Sequence, residues 1–243
     1  MPSEGWTLLA CGIGAIYGIQ VLLAMIGLGG VLASAVSDVG CIAFFWQYAR
    51  KRQIGYAGLG FVRVGLRWYV AAVLVGSSAW LINLTIVTAL HVPEGPTDLL
   101  EGLIAETPLV STIACIAVLP AFAEEIVFRG VLARSLAAKR PAWQAIVISA
   151  GIFGIYHVLP AQAVATFMLG CYLAFFTLRS RSILPSIVIH MLNNTAAIVV
   201  SRDSVPGTTK FFADYGAVAV SIAIVMVVGG MALAVTAPRE ALA

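Results

Sequence analysis

Residues Leu109–Leu136 read LVSTIACIAVLPAFAEEIVFRGVLARSL. The stretch exceeds the roughly 20 mostly apolar residues that a membrane-crossing helix needs. Yet Glu124, Glu125 and Arg129 stand inside it, and Pro120 lies one turn before the first acid. An ionisable side chain inside a spanning helix costs about 2.5–3.5 kcal/mol on insertion scales, so such residues face the interior of a bundle and need a reason to be there. The segment therefore reads as one membrane helix among several.

The rest of the chain agrees. Of 243 residues, 61% are hydrophobic and 10% charged, with a mean hydropathy of +1.00. Ordinary soluble domains carry about 25% charged residues. A soluble fold of this size cannot bury so much apolar surface, so the excess faces lipid. The reading is an all-α polytopic transmembrane helix bundle, one integral membrane domain over residues 1–243. It has about eight spans, near Trp6–Ile26, Val31–Ala49, Leu66–Leu90, Leu109–Leu136, Trp143–Leu159, Ala161–Leu178, Ile183–Val200 and Tyr215–Val235. Gly27-Leu28-Gly29-Gly30 reads as a tight turn, and spans five and six meet at Pro160. The first apolar stretch is too long for a signal-peptide core and reads as a permanent span.

Basic residues test this map. Arg50, Lys51, Arg52, Arg63, Arg67, Arg134, Lys139, Arg140, Arg179, Arg181 and Arg239 are 11 of the 14 Lys and Arg, and eight spans put them all on one side. By the positive-inside rule that side is cytoplasmic, with both termini inside. The acidic loop from His91 to Glu106 then falls outside, and Pro93–Thr107 is a candidate interfacial segment. Trp6, Trp46, Trp68 and Trp143 lie near span ends, as interfacial aromatics do. The net charge of +3 is no nucleic-acid footprint. Cys11, Cys41, Cys115 and Cys171 are widely spaced in apolar runs and read as buried small hydrophobes.

Helix spacing relates the intramembrane polar residues. Glu125 and Arg129 are four apart and can pair. Glu124 points about 100° away, free to face a cavity. His190 and Asn194 are also four apart, and Phe153 sits one turn before His157 and can wall its ring. Pro120 should kink its helix beside the acid, because it lacks an N–H and its ring clashes with the preceding turn. The plainer alternative is a structural polar network, but buried ion pairs are weak stabilisers once desolvation is counted. Asp38 and Asn83 are further intramembrane polar residues without an assigned role. Gly76-Ser77-Ser78 reads as a helix-packing patch.

Three patterns occur in order on separate helices: E-E-x-x-x-R (Glu124, Glu125, Arg129), F-x-x-x-H (Phe153, His157) and H-x-x-x-N (His190, Asn194). Together they resemble the CPBP family of intramembrane proteases, which includes type II CAAX prenyl endopeptidases and the Abi and bacteriocin-processing proteins. The resemblance covers about residues 109–200. It implies an intramembrane endopeptidase in which Glu124 and His157 hold and activate a water. His190 and Asn194 donate hydrogen bonds to the oxyanion, Glu125 and Arg129 orient the site's first helix, and Phe153 fixes His157. The family is commonly labelled metallopeptidase. Glu124, His157 and His190 can supply three ligands to a divalent metal such as zinc, while a metal-free, glutamate-dependent route suits the same motifs. The implied partners are the lipid bilayer and a peptide or protein substrate at the membrane, prenylated or not. The small size of the chain suggests a bacterial or archaeal cytoplasmic membrane as its location. Two other readings compete: a non-catalytic factor on the same scaffold, such as a bacteriocin immunity protein or complex partner, and a transporter with a proton relay. The sequence offers no inverted repeat for the latter.

Overall fold

A computed structural model describes residues 4–93, 107–202 and 204–238. The described residues form the helices α1 (Gly5–Met25), α2 (Gly30–Lys51), α3 (Leu66–Ala89), α4 (Leu109–Ala137), α5 (Ala142–Tyr156), α6 (Pro160–Ser180), α7 (Leu184–Ser201) and α8 (Thr208–Thr236). A single helical turn, Gly55–Gly58, lies between α2 and α3. The interfacial segment foreseen at Pro93–Thr107 falls almost wholly outside the described residues, as does Arg239.

Seven of these helices are long and apolar enough to cross a membrane, where the sequence suggested eight. The exception is α5, with 15 residues. At 1.5 Å per residue it is about 22 Å long, short of the roughly 30 Å hydrocarbon thickness. The expected span ran to Leu159, but the helix stops at Tyr156 because Val158 takes a left-handed conformation (φ +64°) and Pro160 opens α6. Proline is preorganised for a first helical turn. A β-branched residue with positive φ is strained, and strain of this kind concentrates at functional sites. The result is a tight reversal immediately after His157. The last span also differs, since α8 begins at Thr208 and bends at Tyr215, whose φ of −127° is not helical. The turn expected at Gly27–Gly30 is present, with Gly27 and Gly30 both at positive φ.

Helix α4 is not a uniform α-helix. Residues Ile113–Val118 and Glu125–Ala133 follow the wider i→i+5 hydrogen-bond pattern. The first wide segment runs directly into the turn that holds Pro120. In that register a proline ring is relieved of its clash with the carbonyl four residues back. The helix thus widens just before the proline at which a kink is expected. The second wide segment opens at Glu125, and such bulges are frequent at functional sites.

Packing then places α4 at the centre. Its residues Ile126–Ala133 are all buried. α1, α2, α5, α6 and α7 contact it, while α8 lies against α3 on the outside. α3 and α7 approach closely at Gly76: a Cβ there would lie 2.8 Å from the Ile189 backbone. Such small-residue contacts let helix backbones meet in lipid, and here they set the position of the neighbouring His190. Ser77 and Ser78 use their hydroxyls on Val73 O and the Met226 sulfur, in keeping with the packing reading of Gly76-Ser77-Ser78. Trp6, Trp46 and Trp143 are exposed as interfacial residues should be, but Trp68 is buried and donates its indole N–H to Pro238 O. The cysteines are free; Cys41 is buried, whereas Cys11 is exposed and Cys115 and Cys171 are half-buried.

Candidate active site

The intramembrane charges of α4 meet the histidine of α7. His190 Nδ1 lies 2.9 Å from Glu125 Oε1, and Glu124 Oε2 lies 3.8 Å from Nε2 of the same ring. The same Glu125 oxygen lies 3.2 Å from Arg129 Nη1, the i,i+4 pair expected from spacing. All four side chains are buried, Glu125 and Arg129 completely. Glu125 thus ties Arg129 on its own helix to His190 on another. The sequence suggested the first contact and missed the second, because spacing along one helix carries no information about which residue on another helix faces it.

Phe153 sits among these groups. The Arg129 guanidinium stacks over its ring at 4.1 Å from the centroid, a cation–π contact that gains weight when desolvated. The rings of His157 and His190 meet Phe153 edge-on, at centroid distances of 4.7 and 5.8 Å. Phe153 therefore walls both imidazoles, where the sequence assigned it only His157.

His157 is half-buried at the C-terminal end of α5, and its Nδ1 is 2.9 Å from Phe153 O. A carbonyl only accepts, so Nδ1 donates and Nε2 of the neutral ring offers a lone pair. Tyr17 of α1 donates its hydroxyl to Tyr156 O at 2.7 Å. This satisfies one of the carbonyls that a helix end leaves without a partner and pins the turn beside His157. Nothing in the sequence distinguished Tyr17 from other interfacial tyrosines.

Glu124 retains one oxygen, Oε2, that is buried and has no hydrogen-bond partner among the described residues. Its 3.8 Å separation from His190 Nε2 exceeds a direct hydrogen bond. A water lying to one side can reach both at ordinary hydrogen-bond length. Asp38 of α2 is also buried, and α2 packs against Leu119–Glu124. The Asp38 Oδ2 is likewise unpartnered among the described residues.

Asn194 follows His190 by one turn of α7. Its Oδ1 accepts from Asn193 Nδ2 at 3.2 Å. That contact leaves the Asn194 amide N–H groups to donate elsewhere. Asn193 and Asn194 open onto a cavity of about 610 Å³ between α3, α6 and α7. The site is therefore assembled from α4, α5 and α7, with support from α1 and α2.

Among the described residues no three His, Cys, Asp or Glu side chains are grouped as a metal ligand set. Of the trio named as potential ligands, His190 engages Glu125 through Nδ1 and faces Glu124 with Nε2, which stays available to a metal or a water.

Neither the curated proteins nor the solved structures compared with this chain gave a match. Residues 105–196 match the family model described as type II CAAX prenyl endopeptidase Rce1-like. That stretch, well under half of the chain, contains every motif residue from Glu124 to Asn194, and the match agrees with the CPBP resemblance and with an intramembrane endopeptidase class.

Proposed function

We propose that the protein is an intramembrane endopeptidase that hydrolyses a peptide bond of a membrane-associated substrate with a water held by Glu124 and His157. The observation that carries this reading is the meeting of Glu124 with a His190 ring already anchored by Glu125, on the same Phe153 wall as His157, whose Nδ1 is committed to Phe153 O. In the proposed reaction Glu124 accepts a proton from the water while His157 Nε2 accepts a hydrogen bond from it. The water oxygen bonds to the scissile carbonyl carbon and the carbonyl electrons move to oxygen. Asn194 and His190 donate to that oxyanion. When the tetrahedral species collapses, the C–N bond breaks and Glu124 returns its proton to the departing amine.

The contacts of His190 constrain its part. With Glu125 accepting from Nδ1, Nε2 has a proton to give when the ring is an imidazolium. Arg129 and the His190 imidazolium then stand against Glu124 and Glu125, two cations to two carboxylates, which gives the second carboxylate a purpose. A neutral cluster is far cheaper to keep in the membrane interior than a charged one.

We read a bacterial or archaeal membrane and a peptide or protein substrate as parts of the same proposal, the substrate class being supported by the motif resemblance. The basic-residue asymmetry puts both termini in the cytoplasm with eight crossings, so that placement requires the 15-residue α5 to cross as well. The test is cleavage of a panel of membrane-anchored peptides, prenylated and unprenylated, by protein reconstituted in liposomes. Wild type should cleave, and Glu124→Gln and His157→Ala should not. Undiminished cleavage by both variants overturns the mechanism. A folded wild type that cleaves nothing but protects cells from a bacteriocin favours the immunity reading. Metal content is measured on the same active sample, and a stoichiometric ion required for activity replaces the metal-free route.

A further inference from the structure

The cavity beside Asn194 is lined by three helices. Trp80, Leu84 and Val87 come from α3, Ala165 and Leu169 from α6, and Ala197 from α7. Its volume of about 610 Å³ lies within the roughly 300–1,000 Å³ of ordinary ligand clefts. It starts where the catalytic cluster ends, since Asn194 is one helical turn from His190 and Leu159 is two residues from His157.

The walls are mostly apolar, but side-chain amides interrupt them. Asn83 is almost fully buried and makes one long hydrogen bond, 3.4 Å, to Ala165 O. Asn193 Oδ1 is buried with no hydrogen-bond partner among the described residues. Buried amides in a membrane bundle are normally satisfied. A bare hydrocarbon chain seated here would leave both as they are. An extended peptide would not: each peptide unit carries one acceptor and one donor, and a carboxamide offers the complementary pair. Apolar side chains of the same peptide would fill the space between Trp80, Leu84 and Leu169.

We propose that this groove seats an extended apolar segment of the substrate next to the scissile bond, with Asn83 and Asn193 binding its backbone. The proposal rests on the endopeptidase reading for the word substrate, but peptide binding itself does not depend on catalysis. Asn83 and Asn193 then hold the backbone, the apolar wall of Trp80, Leu84 and Leu169 selects the side chains, and Asn194 remains at the reacting carbonyl.

The experiment uses full-length Glu124→Gln protein in lipid nanodiscs. The probe is a decapeptide of Leu, Val and Ala with p-benzoylphenylalanine at its centre. Photo-cross-links should map to Trp80, Leu84 or Ala197. Unlabelled peptide should compete and farnesol should not. Asn83→Leu and Asn193→Leu should each weaken labelling about tenfold, the usual effect of one net hydrogen bond. Cross-links outside the groove, or competition by farnesol equal to that by peptide with no effect of the leucine variants, overturn the proposal in favour of a hydrocarbon site. Should either leucine variant fail to fold, Ala197→Trp fills the groove instead and should abolish labelling; undiminished labelling overturns the proposal. Cleavage of the same peptide by Glu124→Gln at the wild-type rate would sink the Glu124 mechanism alone, because the cross-link map judges the groove separately.

Discussion

Helices α4 and α8 are both longer than a bilayer requires, yet they do opposite work. In α4, 44% of the most apolar window is buried, against 22% in α8. α4 carries two acids and an arginine at its centre; α8 presents Val218, Ile222, Val225 and Val228 outward. The more hydrophobic helix is the more peripheral one. In lipid, apolar side chains gain little by leaving the surface, so burial goes to the helix whose polar groups need partners. The same contrast shows in backbone geometry, because α4 widens around Pro120 and again from Glu125 while α8 bends only near its start.

Substitutions break or sharpen this comparison in a graded way. The largest effect is expected from Glu124→Gln, which removes the proposed base while keeping its shape. Peptide cleavage should fall by about two to four orders of magnitude, measured as kcat/KM on reconstituted protein. Arg129→Met should come next. It removes one of the two groups tied to the buried Glu125, and breaking a buried pair costs up to about 3–5 kcal/mol; thermal unfolding in detergent reads it as a marked fall in Tm. Gly76→Ala should cost about 1–3 kcal/mol, because its Cβ meets the Ile189 backbone, which yields less easily than a side chain. That variant should also lower activity by shifting His190. Val158→Gly should stabilise the fold by about 1 kcal/mol as the left-handed residue is relieved. Its activity then reports whether the strained reversal positions His157. Smallest of all, Val225→Ala on the outer face of α8 should stay within about 0.5 kcal/mol of wild type and cleave normally. A large loss there would mean that α8 faces a protein partner instead of lipid.

Much of the site was legible before any coordinates, and for definable reasons. Glu125 and Arg129 share one helix, so their pairing follows from 3.6 residues per turn. Phe153 and His157 are likewise one turn apart, and their rings do meet. Contacts between helices were not legible. The Glu125–His190 bond, the stacking of Arg129 on Phe153 and the hold of Tyr17 on Tyr156 each join residues from different helices. Trp68 shows the converse failure: a tryptophan near a span end looks interfacial until neighbouring helices bury it. The short α5 was misjudged because hydropathy does not register the left-handed turn at Val158.

The amino-acid sequence alone determined that this is a helical membrane protein with costly polar residues in its interior, because the water-to-lipid transfer of each side chain is a local property. Only the tertiary structure decided which of those residues face one another. It shows Glu125 shared by Arg129 and His190, Glu124 with an oxygen to spare, and Asn83 and Asn193 on a common groove. The physical reason is that helix register and rotation are set by packing between helices, and that information is spread over every contact in the bundle.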